Sequence, residues 1–283
     1  MSVGSGLKRR FDSGLRVLRE KQHFDPLIRG ERRELARARQ QQEHLYTDPQ
    51  ESPLVSVIIP TWNRAKLLVE RTLPSVFNQS YQNFEVIVVG DHCTDETEEM
   101  IKLLDCPSIR FCNLPERGDY PEEEWARWRV AGSKPINHAF EMARGKWIAL
   151  LDDDDVFVPD HIEELLGHAQ SNNLEFVYGK QKREMAPGDW VDRGEAPFSS
   201  RVCPNSATIY RSYLRLFRFD INAWRVEWPV DKHRIWRMYK AGVRAGFLDR
   251  VVSLSPLRPG QTLQGPKAED RLDNQMSLSI STH

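Results

Sequence analysis

The sequence predicts an α/β protein with a mostly parallel, doubly wound sheet, and two observations lead to this fold class. From Ser52 onward, short apolar runs rich in Val and Ile alternate with segments of helical periodicity, and the connections between them are short. The apolar runs are continuous, as in strands that helices cover on both faces. Repeated β-α-β units of this kind favour a parallel sheet between two helical layers.

Four predicted strands lie in the first half of the chain. They are LVSVIIP from residue 54, FEVIVVG from 84, SIRFCNL from 108 and KWIALLD from 146. Helical segments separate them, and Pro74 should kink or end the first helix. Asp95 with Glu98 and Asp160 with Glu163 stand at capping-box spacing before two further helices, and Gly145 should close a third.

The second half is less regular. EFVYGKQKREM from residue 175, ATIY from 207 and GFLDRVVSL from 246 are predicted strands, with an edge hairpin over 188–199. Helices are predicted for RSYLRLF from residue 211 and for 231–241. We therefore divide the chain into a helical N-terminal extension (1–52), a main domain (53–255) and a flexible Pro- and Gly-rich tail (256–283).

The N-terminal extension is basic and helical. Lys8 to Arg39 contains eleven Lys or Arg, and Leu7, Phe11, Leu15 and Leu18 stand at helical spacing. Three interpretations stay open: an appendage packed on the main domain, an oligomerisation arm, or a basic amphipathic helix on the inner face of a membrane.

Composition limits the classes of function. The 283 residues are 40% hydrophobic and 29% charged, as in an ordinary globular protein, and the net charge of -1 gives no attraction to nucleic acid. No apolar stretch reaches the roughly 18 residues that span a bilayer, and no signal-peptide core is present. The four cysteines lack a C-x-x-C pair or zinc-like spacing. We expect a cytoplasmic protein with reduced thiols.

Polar motifs follow three of the predicted parallel strands. PTWNR, GDHCTD and DDDD come after the first, second and fourth strands, and ligands of open parallel sheets bind beyond the carboxyl ends of the strands. In an extended chain, Asp152 and Asp154 would share one face and Asp153 and Asp155 the other. A D-x-D pair suits a hard divalent cation, Mn²⁺ or Mg²⁺. The alternative is a solvated acidic loop.

Three segments carry a family resemblance. VSVIIPTWNR, NQSYQNFEVIVVGDHCTDET and GKWIALLDDDDVFVPDHI resemble the landmark segments of GT-A fold, family 2 glycosyltransferases, over about residues 53–165 and more weakly to about 250. The resemblance implies a GT-A sheet with a nucleotide-sugar half (53–160) and a smaller acceptor-side half (161–255). It also implies inverting transfer, of the hexosyltransferase type, from a nucleoside-diphosphate sugar to an acceptor hydroxyl. The donor is expected to be a UDP-sugar, with Mn²⁺ or Mg²⁺ as cofactor.

The resemblance also assigns the donor site. The segment that holds the nucleotide base corresponds to Pro60, Thr61, Trp62 and Arg64, and Asp91 corresponds to the carboxylate that accepts a hydrogen bond from the base. Gly90 departs from the family, which has a second carboxylate there. Without a ligand role, Trp62 would be a core aromatic, Arg64 a solvated cation and Asp91 a turn residue.

Within the aspartate run, the resemblance makes Asp154 the metal ligand, with support from Asp152. Asp153 is expected near the ribose, and Asp155 receives no role.

The catalytic base is expected at the start of the helix over 231–241. Asp231 resembles the family's base, Glu227 is the second candidate, and an N-cap is the alternative role for Asp231. His233 reads as a surface helix residue. Trp125 and Trp128 lie in a segment, 121–134, that fits a mobile loop, where they would stack on an acceptor sugar or belong to the core.

Other functions compete with a transferase. A sugar-phosphate nucleotidyltransferase would need a glycine-rich loop after the first strand, and PTWNRAK has no glycine. A degenerate nucleotide- or glycan-binding module would keep the site without turnover. The expected partners are the nucleotide-sugar donor and a glycan, lipid-linked, peptide or small-molecule acceptor, with no nucleic acid. Residues 1–50 would mediate any homo-oligomer or peripheral membrane contact.

Overall fold

The computed structural model describes residues 24–262. Helix α1 spans 24–42 and precedes a 3-10 turn, Glu43–Tyr46. The strands are β1 Val55–Thr61, β2 Phe84–Gly90, β3 Ile109–Asn113, β4 Trp147–Leu150, β5 Val156–Phe157, β6 Phe176–Ala186, β7 Asp189–Arg193, β8 Thr208–Arg211 and β9 Ala245–Ser255.

The remaining helices alternate with these strands. Helix α2 consists of Ala65–Leu67, a π turn Leu68–Thr72 and Leu73–Phe77. The others are α3 Thr97–Leu103, α4 Glu124–Val130, α5 Ser133–Met142, α6 His161–Ser171 and α7 Val230–Ala241, with 3-10 turns at Asn205–Ala207, Ser212–Leu216 and Ala223–Val226.

All nine strands form one sheet in the order β3-β2-β1-β4-β8-β6-β9-β5, with β7 paired to β6. The pairs β3–β2, β2–β1 and β1–β4 are parallel, as the sequence predicts. Beyond β4 the sheet is mixed: β8 is antiparallel to β4 and β6, whereas β6 and β9 are parallel. The α/β architecture is confirmed, and the carboxyl ends of β1, β2 and β4 lie along one edge.

The sheet is buried on both faces, which explains the continuous apolar runs. In β1, Val55, Val57 and Ile59 contribute to one hydrophobic core, and Ile58 contributes to the core on the opposite face. Each of these side chains is fully buried. Apolar residues therefore occupy successive positions of β1 and β2 without alternation, and the buried polar residues Ser56 and Glu85 bind each other.

Helix α2 contains Pro74 and neither ends nor breaks there. The π turn over Leu68–Thr72 comes directly before the segment in which Pro74 is the second residue. The wider turn accommodates the missing N–H of proline. It also brings the Thr72 hydroxyl to the turn that follows β4, with Oγ1 at 3.0 and 3.1 Å from the carbonyl oxygens of Asp153 and Asp155.

The residues predicted to begin or end helices have other roles in the structure. Helix α5 ends at Met142, and Gly145 instead lets the chain pass close to β1: a Cβ there would lie 2.6 Å from the Ser56 backbone nitrogen. Asp95 accepts a hydrogen bond from the Thr97 backbone, but neither predicted capping box forms. Glu98 instead accepts a hydrogen bond from Lys102, one turn along the same helix, and Glu163 accepts one from Ser80, in another part of the chain.

Helix α1 packs on the main domain. Phe24 and Leu35 are buried, and Glu31 forms an ion pair with Arg237 of α7. Of the three interpretations of the extension, a packed appendage therefore describes residues 24–46. The predicted helix around Leu7 to Leu18 lies outside the described residues, and no arm or membrane contact is observed in the part of the chain that is described.

Glu175 connects α1 to the sheet. It is fully buried, accepts two hydrogen bonds from Arg39, at 2.7 and 2.6 Å, and accepts others from the Tyr213 hydroxyl and the Arg244 backbone. Burial alone would raise the pKa of Glu175, but these donors outweigh it and lower the pKa below its usual range.

We predict that Glu175→Gln lowers the free energy of unfolding by about 2–3 kcal/mol at pH 7. Because the folded-state pKa of Glu175 is lowered, its stabilisation is present above the usual pKa of 4.5 and is lost as the pH falls below it. Urea unfolding from pH 7 to pH 4 should show the difference shrinking. Glu98→Gln, in an exposed pair with Lys102, is the control and should change stability by less than about 0.5 kcal/mol. An equal loss at both pH values would contradict this role.

Candidate active site at the strand ends

The four aspartates form a tight turn directly after β4. The Asp155 backbone N–H donates to the Asp152 carbonyl oxygen at 3.0 Å, which closes a four-residue turn. The expected alternation of faces is therefore wrong, because β4 ends at Leu150 and the run is not extended. Asp153 and Asp154 instead share a partner, Arg64.

Asp153 is held by residues at and just after the end of β1. The Thr61 hydroxyl donates to Asp153 Oδ2 at 2.8 Å, and Arg64 Nη1 donates to Oδ1 at 2.5 Å. Arg64 Nη1 also lies 3.2 Å from Asp154 Oδ2. Arg64 is thus a partner of the aspartate turn and not a solvated cation. Pro60 and Thr61, the last residues of β1, set the position of this connection.

Asp152 and Asp155 face the second half of the sheet. Asn205 Nδ2 donates to Asp152 Oδ1 at 3.1 Å, and Gln181 Nε2 of β6 donates to Asp155 Oδ2 at 2.8 Å. The Ser206 hydroxyl accepts from the Asp152 backbone at 3.1 Å. Asp153 and Asp155 are 6% and 4% exposed, which excludes the solvated acidic loop.

The turn is electrostatically unfavourable for carboxylates. Burial, followed by the charges of Asp155 and Asp154, raises the pKa of Asp152 well above its usual range. Burial also raises the pKa of Asp153, although Arg64 opposes the shift, and it raises the pKa of Asp155 to about 6 with a further contribution from Asp154. Additional positive charge at the turn would therefore stabilise the ionised state.

Trp62 and Asp91 lie beside the aspartate turn, after β1 and β2. Trp62 is 44% exposed, so it is not a core aromatic, whereas Asp91 is 2% exposed. The Asp91 carboxylate accepts a hydrogen bond from the Gly118 backbone at 3.2 Å and lies 3.8 Å from Arg117 Nε. The guanidinium of Arg117 covers Trp62, with Cζ 3.3 Å from the ring centroid.

Gly90 departs from the family for a steric reason. A Cβ at this position would lie 2.6 Å from Asn113 Oδ1. Asn113 is needed there, because its amide binds both the N–H and the carbonyl oxygen of Cys93 at 2.8 and 2.9 Å. The loop after β2 is thus shaped by an asparagine of β3, which leaves Asp91 as its buried carboxylate.

The two candidate bases lie near the start of α7. Asp231 is in the first turn of α7, is partly exposed and makes no capping hydrogen bond, so it is not an N-cap. Its neighbour Lys232 donates to the Cys203 carbonyl oxygen at 2.9 Å, two residues before the Asn205 that binds Asp152. Glu227 is exposed and has a left-handed backbone, φ 64°.

His233 is not a surface residue, contrary to the sequence prediction. It is fully buried, with its ring 4.6 Å from that of Phe24 and 6.3 Å from that of Trp236. Helix α1 covers this face of α7, which the sequence of α7 alone does not indicate.

The segment with Trp125 and Trp128 is helical, since α4 spans Glu124–Val130, and it is not the predicted loop. Both tryptophans are about half exposed, so neither is a core residue. Trp125 packs edge-on against Trp224, at 6.3 Å between ring centroids. Arg129 links α4 to the segment before α7 by donating to the Glu227 carbonyl oxygen at 3.1 Å.

The first residues of the predicted flexible tail lie at the site. Leu257 donates its backbone N–H to Glu184 and accepts a hydrogen bond from Arg71. The next residue, Arg258, places Nε 3.5 Å from Asp154 Oδ2. Specific contacts therefore position residues 257 and 258, and residues 263–283 lie outside the described part.

Sequence reasoning missed Arg117, Asn205, Gln181 and Arg258. Each comes from a segment without a motif, and each reaches the site through chain reversals that only the folded sheet defines. The one available signal was the prediction that strand ends converge.

The aspartate turn offers some, but not all, of the ligands that a hard divalent cation needs. Within residues 24–262 no three His, Cys, Asp or Glu side chains are arranged to hold a metal ion together. Asp154 and Asp152 have carboxylate oxygens, the ligands that Mg²⁺ and Mn²⁺ prefer. Such ions commonly complete their coordination with water and phosphate oxygens, so a cation here would be bound together with a diphosphate.

The fold defines a class, the α/β proteins of the GT-A type. The family model described as "Glycosyltransferase like family 2" matches residues 52–216, and the chain belongs to this family. The fold is similar to that of S. aureus TarS 1-349 in complex with UDP-GlcNAc, with a TM-score of 0.55 at 19% identity, over 81% of this chain and 66% of that one.

Further comparisons agree with this assignment. The mannosyltransferase PcManGT from Pyrobaculum calidifontis, in complex with GDP-Man and Mn²⁺, gives a TM-score of 0.54 at 18% identity, over 88% of this chain and 70% of that one. The putative colanic acid glycosyl transferase WcaA of Escherichia coli K12 is 30% identical over 55% of this chain and 50% of its own length. The Escherichia coli glucosyltransferase WfgD is 32% identical over 44% of this chain and 45% of its own length.

The chain spans about a fifth to a half of the length of the curated relatives it matches. Across residues 24–262, none of the helices combines the length and apolarity that a bilayer crossing requires. The four cysteines are free, as expected.

We predict that Asp155→Asn stabilises the metal-free protein at pH 7.5 by about 1–2 kcal/mol. The pKa of Asp155 is raised, so the unfavourable contribution is present above the folded-state value of about 6 and absent below the usual 3.8. The amide still accepts the hydrogen bond of Gln181. Thermal unfolding at pH 7.5 and pH 4.5 measures the effect, which should be small at the lower pH. Asp249→Asn, at an exposed position, is the control. A variant less stable than the wild type at pH 7.5 would count against electrostatic strain at the turn.

Proposed function

We propose that the chain is a metal-dependent inverting glycosyltransferase that uses a nucleoside-diphosphate sugar, with a UDP-sugar favoured. The observation that carries the proposal is the convergence of Trp62, Asp91 and the aspartate turn at the carboxyl ends of β1, β2 and β4. An aromatic platform, a buried acceptor for a base N–H and an anionic turn suit the three parts of such a donor. Membership of the family supports the same function.

The base and the ribose would occupy the part of the site near β1 and β2. The Trp62 ring offers a stacking surface, and the Asp91 carboxylate would accept a hydrogen bond from a ring N–H such as N3–H of uracil. Asp153, which Thr61 and Arg64 hold in position, would contact the ribose hydroxyls. UDP is favoured because WfgD is named for UDP-Glc and TarS was solved with UDP-GlcNAc; PcManGT, solved with GDP-Man, makes GDP the comparison to test.

The diphosphate would lie against the aspartate turn. Arg64 and Arg258 bring two guanidinium groups to Asp154, and both can bind phosphate oxygens when the carboxylate is occupied by a cation. Asp154, with support from Asp152, is the proposed ligand of Mn²⁺ or Mg²⁺. When bound, the ion supplies Lewis-acid stabilisation of the leaving diphosphate.

Asp231 is the proposed base. Its carboxylate takes the proton of the acceptor hydroxyl, whose oxygen forms a bond to C1 of the sugar while the bond from C1 to the diphosphate oxygen breaks. Attack from the face opposite the leaving group inverts the anomeric centre. Glu227 is the second candidate for the base.

The acceptor would enter between α4 and α7. Trp125 and Trp128 present exposed aromatic surface near Glu227, which suits stacking on a sugar. The acceptor would be a hydroxyl group of a glycan, a lipid-linked molecule, a peptide or a small molecule. Contact of residues 1–50 with a membrane or a second copy remains a proposal, as does cytoplasmic location.

We predict that UDP with Mn²⁺ raises the melting temperature by several degrees. Asp154→Ala should remove the increase, because it removes the proposed metal ligand, which lies beside Arg64 and Arg258. Differential scanning fluorimetry with UDP, GDP, dTDP and CDP, with and without metal, measures it. Asp249→Ala should keep the full shift. If none of these nucleotides changes the melting temperature of the wild type, the proposed donor class is wrong.

We predict that Asp231→Asn lowers the turnover number by about 10²–10⁴-fold while the nucleotide still binds, because the amide cannot accept the proton. Acceptor-dependent release of UDP from a panel of nucleotide sugars measures turnover, and Glu227→Gln is the matched comparison. A loss confined to Glu227→Gln would move the base to Glu227.

The two alternative functions give different results in the same assay. Wild-type protein that binds nucleotide but turns over no donor would be a degenerate binding module. Formation of pyrophosphate from a nucleoside triphosphate and a sugar phosphate would identify a nucleotidyltransferase.

A further inference from the structure

The guanidinium of Arg117 lies where the proposed function places the nucleobase. Its Cζ is 3.3 Å from the centroid of the Trp62 ring, the distance of planar groups in direct contact, and its Nε lies 3.8 Å from Asp91 Oδ2. Trp62 and Asp91 are the two residues proposed to bind the base. One side chain of the protein therefore covers both of them.

A guanidinium resembles the relevant part of a nucleobase in shape and in hydrogen-bonding groups. It is planar and delocalised, stacks on aromatic rings and carries N–H donors at its edge. Uracil and guanine likewise offer a flat face to an indole and a ring N–H to a carboxylate. A base that stacks on the face of Trp62 covered by Arg117 cannot bind while Arg117 is there, and Arg117 also lies beside Asp91.

The contacts of Arg117 are incomplete. Its Nε is buried and has no hydrogen-bond partner among the described residues, since 3.8 Å exceeds hydrogen-bonding distance to Asp91. A buried donor without a partner weakens the hold of the site on this side chain. About one third of the side chain is exposed, which gives it a route into solvent.

The backbone around Arg117 is fixed independently of its side chain. Lys134 Nζ donates to the carbonyl oxygens of Glu116 and Arg117 at 3.0 and 3.1 Å, and the Gly118 N–H binds Asp91 Oδ1. Rotation of the side chain is therefore sufficient to uncover Trp62, and the loop need not move.

We propose that Arg117 occupies the nucleobase position in the donor-free protein and that the donor must displace it, so that Arg117 lowers the affinity for the donor base. This inference rests on the proposed function, which supplies the base site. Arg117 then competes with the donor base and sets the donor concentration at which the site is half occupied.

The test is titration calorimetry of uridine and guanosine against the wild type and Arg117→Ala, without metal. These nucleosides carry no phosphate, so loss of a positive charge does not itself change their affinity. Arg117→Ala removes the group that competes for Trp62. We therefore expect the variant to bind whichever nucleoside the wild type binds, with an affinity about three- to tenfold higher. Lys102→Ala, which removes an exposed cation of α3, should leave the affinity unchanged.

A second variant separates competition from a structural effect. Without the Trp62 ring, Arg117 has no stacking surface to occupy, so Arg117→Ala should change the affinity less than twofold in a Trp62→Ala background. Equal or weaker nucleoside binding by Arg117→Ala overturns the inference, and so does a gain that persists in that background. If the wild type still binds UDP or GDP with Mn²⁺ in those cases, the proposed function stands; if it binds neither, both fail.

Discussion

Repulsion among four carboxylates is the constraint on which this structure depends. A buried parallel strand, β4, is followed by a turn that brings Asp152 to Asp155 together, with Asp153 and Asp155 buried and Asp152 and Asp154 partly exposed. Each unpaired negative charge there is unfavourable, and the raised pKa values of Asp152, Asp153 and Asp155 reflect this. Positive groups and hydrogen-bond donors from the rest of the molecule are arranged around this turn.

Several surrounding elements contribute donors or cations. Thr61 ends β1 and Arg64 follows it, Thr72 comes from the π turn of α2, Gln181 from β6, and Arg258 from the residues after β9. The π turn brings the Thr72 hydroxyl to the backbone of the aspartate turn. Because Arg64 and Arg258 only partly balance the carboxylates, the turn is suited to a cation that arrives with a diphosphate.

The sequence predicted the part of the fold that periodicity and burial determine. Strands β1, β2 and β4, covered on both faces, were evident as continuous apolar runs, and the convergence of their carboxyl ends followed from parallel pairing. Features that depend on tertiary contacts could not be predicted. The aspartates form a turn and not an extended strand, the exclusion of a side chain at Gly90 depends on Asn113 of another strand, and His233 is buried because α1 covers it. Arg117 and Arg258 reach the site from segments without a motif.

The central claim is that the aspartate turn and Trp62 bind opposite ends of one nucleotide donor together with a cation. A crystal structure of the protein with UDP and Mn²⁺, with anomalous diffraction to locate the manganese, tests it most directly. The account predicts an anomalous peak at bonding distance from the Asp154 carboxylate and bridging to the diphosphate, with the uracil ring stacked on Trp62 and its N3–H directed at Asp91. Manganese away from the aspartate turn, or a uracil ring elsewhere on the protein, would contradict it.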